Sequence, residues 1–143
     1  MDYLQRSDLH YRKGYKYQLA ESYYINTRVY PDETIHTDFL SLYRSGLMII
    51  HKGYAWDGAS GPTIDTESTM AGSLVHDALY QLMRLELIPR TFRWLADRLM
   101  QRIMLSEGMH WFRNKYFFAG VKWFGDASTR TPNPIITIKA KNG

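Results

Sequence analysis

The sequence predicts an α+β domain in which N-terminal antiparallel strands pack with a C-terminal helical hairpin and a third helix. Three observations predict it. Residues 15–54 are rich in aromatic and β-branched side chains broken by turn residues, and after Pro62 the apolar positions switch to helical spacing. Strands precede helices without βαβ alternation, the order of a segregated α+β domain. The 143 residues suit a single domain over 1–143, long enough to bury a core without disulfides or a structural metal.

The strand region runs over about 15–54. Tyr15–Leu19, Tyr23–Val29 and Gly46–His51 read as strands, and Pro31-Asp32-Glu33 as a turn between them. Phe39–Tyr43 fits a strand or a short helical turn equally. A loop at 53–63, containing Gly53, Gly58 and Gly61, leads out of the last strand.

Met70, Leu74, Val75, Ala78, Leu79, Leu82 and Leu85 recur at helical spacing, which predicts a helix over about 68–85 with Asp65, Thr66 or Ser68 as N-cap. Pro89 suits the first position of a second helix over about 89–107, with Phe92, Leu95, Ala96, Leu99, Ile103 and Met104 on its apolar face. The two make a hairpin. A third helix is expected over about 110–124, closed by Gly125. In the tail, 126–143, Thr131-Pro132-Asn133-Pro134 stops any helix and Ile135–Lys139 is expected to add an edge strand.

Composition excludes several classes. With no cysteine, the chain has no disulfide, thiolate zinc site or cysteine nucleophile, so any metal must be held by histidines and carboxylates. No stretch approaches the roughly 18 apolar residues of a membrane span, and the first residues, Met1-Asp2-Tyr3-Leu4-Gln5-Arg6, lack the apolar run of a signal peptide. Synthesis in a cytoplasm is expected. A formal charge of +4 favours anionic partners but is too small to single out nucleic acid.

The chemistry-bearing residues gather around Trp56-Asp57-Gly58-Ala59-Ser60-Gly61-Pro62 and His76-Asp77. A glycine-rich loop between a strand and a helix is a common place to hold reactive groups. Asp57 there can coordinate a metal, accept a proton or cap loop amides. Ser60 can donate to a ligand or anchor a turn. His76 lies at the edge of the buried helix face, where a nearby carboxylate would orient one ring nitrogen and leave the other for a proton or a metal. Asp77 diverges from it by ~100° on the helix. Asp97, in the second helix, faces the first helix if the hairpin forms, or else pairs with Arg93 or Arg98 on the surface. The candidate catalytic set is Asp57, Ser60, His76 and Asp77. The candidate ligand set for a divalent metal ion is Asp57, His76, Asp77 and Asp97, an oxygen and nitrogen set suited to such an ion, although its spacing matches no strong metal motif.

These motifs resemble a phage and prophage family of unknown function, domain of unknown function 1353. Its pattern is a strand ending in Gly-aromatic, a loop Asp-x-x-Ser-x-Pro, and a helix carrying His-Asp-x-Leu-Tyr. Gly53-Tyr54, Asp57, Ser60, Pro62 and His76-Asp77-Ala78-Leu79-Tyr80 stand in those places, and Ala96-Asp97-Arg98 is similar to a later acidic position. The resemblance covers roughly residues 46–100. Gly61 and Thr63 depart from it, since a larger and a basic residue respectively are usual there. The resemblance implies a phage or prophage source and an α+β domain, located in the host bacterial cytoplasm or in the virion; it implies no mechanism.

Three functions fit the sequence. The first is a metal-assisted or acid-base hydrolase of an amide or phosphoester, using the residues above. The second is a non-catalytic protein that sequesters a nucleotide, another anionic small molecule or a host defence protein, with the tyrosines and basic residues of Leu9–Tyr17 stacking bases and pairing phosphates. The third is a virion or tail assembly component that docks through 111–124 and Ile135–Lys139.

Overall fold

The computed structural model describes residues 4–12, 17–58, 67–108 and 135–141. Within them the protein is α+β, with two antiparallel four-stranded sheets and two α-helices, strands before helices except for the tail strand. The chain divides into two compact units. One runs up to Trp56 and takes back the tail strand; the other begins at Asp57 and holds both helices.

In the first unit, β1 (Leu9–Arg12), β2 (Tyr17–Leu19), β7 (Ala55–Trp56) and β8 (Ile135–Ile138) form one sheet in the order β7-β2-β1-β8. Alternation decides what each strand buries: Leu9 and Tyr11 are buried while His10 and Arg12 are half-exposed. Tyr11, Tyr17 and Trp56 meet with ring centroids 5.5–5.9 Å apart, edge-on or tilted, the arrangements that aromatic quadrupoles favour. β8 pairs with β1 in full register, Leu9 opposite Ile138 through Arg12 opposite Ile135. Asp8 fastens the end of this pair by accepting from the Ala140 amide at 2.7 Å and from Lys139 Nζ at 3.2 Å. The amide bond, then the lysine, hold its carboxyl below the ordinary value.

β3 (Tyr23–Asn26), β4 (Ile35–His36), β5 (Leu40–Leu42) and β6 (Leu47–Ile50) form the second sheet, ordered β3-β6-β5-β4. Tyr23, Ile25, Leu40, Leu42, Met48 and Ile50 are buried. The turn between β5 and β6 closes with Gly46 donating to the Tyr43 carbonyl and Tyr43 donating to that of Leu47. Gly46 has φ +90°, and a Cβ there would stand 3.0 Å from the Tyr30 ring, so both backbone and space require glycine.

The second unit is the hairpin of α1 (Glu67–Arg84) and α2 (Arg93–Ser106). Met70, Leu74, Val75, Ala78, Leu79 and Leu82 from α1 are buried, as are Ala96, Leu99, Met100, Ile103 and Met104 from α2. At Gly72 a Cβ would fall 2.8 Å from Met104 Cγ and 3.1 Å from the Met100 carbonyl, so the missing side chain lets the helices approach. α1 ends in a Schellman arrangement, Leu87 N–H to Leu82 O and Glu86 N–H to Met83 O, with Glu86 in the left-handed region at φ 60° where glycine is usual.

Several element boundaries differ from the sequence reading. β1 lies N-terminal to the expected strand region and β7 lies inside the expected loop. Both are short and form by pairing with remote strands. Phe39–Tyr43 resolves as a strand, β5. α1 starts at Glu67, so Ser68 is within the helix rather than its N-cap, while Asp65 and Thr66 fall outside the described residues. Pro89 has extended ψ (148°) and precedes a 3-10 turn, Arg90–Phe92, instead of opening an α-helix. The tail strand forms at the sheet edge, as expected. The expected third helix, 110–124, lies outside the described residues.

Candidate active site

The site is built on the two facing helices. His76 and Tyr80 are four residues apart on α1 and therefore lie on one face, one turn apart. Their rings stack with centroids 4.0 Å apart and planes tilted by 31°. From α2, Asp97 reaches both. His76 Nε2 lies 2.6 Å from Asp97 Oδ1, and the Tyr80 hydroxyl donates to the same oxygen at 2.7 Å. An ionised carboxylate can only accept, so the imidazole is the Nε2–H tautomer.

Electrostatics follow from depth. Burial of His76 disfavours the imidazolium and lowers its pKa, against the opposing pull of Asp97. Burial alone would raise the Asp97 carboxyl, but the hydrogen bonds from His76 and Tyr80 outweigh it and hold the pKa below the ordinary value. The Tyr80 hydroxyl is raised by its own burial and by its bond to Asp97. Arg93, fully exposed, has its guanidinium beside the Tyr80 oxygen. At neutral pH the cluster is therefore a neutral imidazole, a neutral phenol, a carboxylate and a guanidinium. Only part of it meets solvent, since the His76 side chain is 3% exposed and that of Asp97 32%. Asp97 Oδ2 makes no hydrogen bond among the described residues.

The structure unites some predicted residues and separates others. Asp97 faces α1 rather than pairing with a surface arginine; Arg98 instead lies over the Trp94 ring, 5.4 Å from its centroid. Asp77 is buried one residue along from His76, on the adjoining side of α1, with Arg84 Nη2 at 3.9 Å from its carboxylate. Asp57 is half-exposed ahead of α1. No three histidine, aspartate or glutamate side chains come together as metal ligands among the described residues, so the set Asp57, His76, Asp77 and Asp97 is not assembled as a ligand cluster, while His76 and Asp97 do meet. The reason is angular: adjacent helix residues point ~100° apart, so His76 and Asp77 address different neighbours. Ser60 lies outside the described residues. Tyr80 was not among the residues predicted to act, although its i+4 spacing from His76 was the signal that could have found it.

Comparison with protein-family models, with curated proteins and with solved structures gives no match to this chain.

Proposed function

We propose that this protein is an acid-base hydrolase of a phosphoester or amide, with Asp97 as the carboxylate that takes a proton from the attacking water. The observation that supports it is the division of labour on one carboxylate: Oδ1 is held by two donors, while Oδ2 has no hydrogen bond among the described residues, on a side chain one-third exposed. In this reading His76 is a positioning residue, too deep to meet substrate. Arg93 supplies the exposed positive charge for an anionic substrate, which favours the phosphoester. A phage or prophage setting rests on the motif resemblance around Asp57, Ser60, Pro62 and His76–Tyr80.

A second reading is favoured by the burial of His76: the trio is a polar clasp that fixes the helix hairpin and catalyses nothing. Asp97→Asn separates the two, because it keeps the size of the side chain and removes its charge. Purified protein is assayed against nitrophenyl phosphate mono- and diesters and a nitroanilide, with thermal unfolding in parallel. The hydrolase reading expects turnover by the wild type that Asp97→Asn reduces by roughly 10²-fold or more. No wild-type turnover together with a lowered Tm in the variant leaves the clasp and sinks the hydrolase.

A further inference from the structure

The second sheet carries a different histidine cluster. Its register places His36 on β4 directly across from Ser41 on β5, and Ser41 across from Ile49 on β6, so His51, two residues beyond Ile49, returns to the same face. His36 Nδ1 lies 2.9 Å from Ser41 Oγ, and His51 Nε2 lies 2.8 Å from the same oxygen. Two imidazole nitrogens from separate strands thus converge on one hydroxyl. That hydroxyl has a single proton, so it donates to one ring and accepts from the other.

Access is graded. Ser41 is 2% exposed, His51 is half-exposed and His36 exposed, so the hydroxyl forms the floor and the rings the rim. The outer nitrogens, Nε2 of His36 and Nδ1 of His51, have no hydrogen-bond or ion-pair partner among the described residues. Among the described residues neither ring is paired with a carboxylate, unlike His76. Both have their inner nitrogen held only by a neutral, exchangeable hydrogen bond.

We propose that His36 Nδ1 and His51 Nε2, with Ser41 Oγ beneath them, form a binding site for one late first-row divalent ion. Imidazole pairs suit Cu2+, Ni2+ and Zn2+ and not the oxygen-seeking Ca2+ or Mg2+, and the stability order places Cu2+ first. Metal–nitrogen bonds are about 2.0–2.1 Å, so the rings turn to close on the ion, with water completing the coordination. Because no third imidazole or carboxylate joins them among the described residues, the ion is expected to be exchangeable and not needed for the fold.

The test is isothermal titration of the full chain with each of the five ions, alongside Cu2+ electron paramagnetic resonance. One Cu2+, Ni2+ or Zn2+ per chain is expected, with no saturable binding of Ca2+ or Mg2+. His36→Ala and His51→Ala should each abolish that binding, Ser41→Ala should weaken it by about tenfold, and His10→Ala should leave it unchanged. The Cu2+ spectrum should show nitrogen couplings from two imidazoles in the wild type. Far-UV circular dichroism monitors folding, and His36→Gln and His51→Gln replace any alanine variant that unfolds. Absence of saturable binding by the wild type, or undiminished binding by a folded variant at either histidine, overturns the proposal.

Discussion

The helix hairpin and the second sheet each hold histidine in a hydrogen bond, yet they treat it in opposite ways. In the hairpin, His76 is sealed between helices and tied to a carboxylate that also holds Tyr80. In the sheet, His36 and His51 stand at the surface and share a buried neutral hydroxyl. Depth without a charged partner would make an imidazole merely inert. With Asp97, the same depth fixes one tautomer and leaves contact with water to the partner. The sheet does the reverse, leaving the rings accessible and burying the group that joins them.

The sharpest way to break this contrast is Asp97→Ala. It strips the acceptor from a buried imidazole N–H and from the Tyr80 hydroxyl, and an orphaned buried donor costs about 1–3 kcal/mol. Urea unfolding should show a loss in that range; an unchanged midpoint would mean that the hairpin does not depend on the pair. Next comes pH. In the unfolded chain His76 takes a proton near its ordinary value of 6.5, whereas in the folded protein burial delays protonation to lower pH. The unfolded state then binds more protons, so stability is complete above about pH 6.5 and declines as pH falls below it. Asp97 adds a further loss at lower pH, since its stabilising ionised form, present above the ordinary carboxyl value of 3.8, disappears as pH falls through the lower folded value. Urea midpoints at pH 7.5, 6.0 and 5.0 should slope in the wild type and flatten in His76→Gln; equal slopes would acquit the buried ring.

Smaller effects sharpen the comparison. Tyr80→Phe removes one of the two donors on Asp97 and should cost about 0.5–1.5 kcal/mol by the same assay, with the His76–Asp97 bond surviving. Ser41→Ala in the sheet should cost no more than that, because its imidazole partners, exposed at His36 and half-exposed at His51, can turn to water. A larger loss there would show that the Ser41 hydroxyl between the two rings is structural. At the end of α1, Glu86→Gly relieves a left-handed φ and should stabilise the hairpin by about 0.5–1 kcal/mol, read as a higher urea midpoint.

What the sequence revealed depended on how far apart the interacting residues lie. α1 was legible to within a residue because its apolar period is local, running from Met70 through Leu82. β3 and β6 were legible from their aromatic and β-branched runs. β1 was missed because Leu9-His10-Tyr11-Arg12 becomes a strand only through neighbours that include a segment over a hundred residues away, and β7 because two residues in a glycine-rich stretch carry no period of their own. For the candidate site, His76 and Asp97 were named individually, and their meeting followed from the hairpin. The Ser41 cluster was invisible because it exists only in one strand register, and a slip of one residue would turn its members to the opposite face.

The pairing of β1 with β8 also has a bearing on how the chain is made. His10 Nδ1 meets the Thr137 hydroxyl at 2.8 Å across a separation of 127 residues. On the ribosome β1 emerges well before its outer neighbour β8 and must wait for the intervening residues to leave the exit tunnel. Until then one side of β1 offers bare amides and carbonyls to any passing strand. Closure of this sheet thus waits on β8, and nascent chains arrested between β1 and residue 135 should be the ones that recruit chaperones.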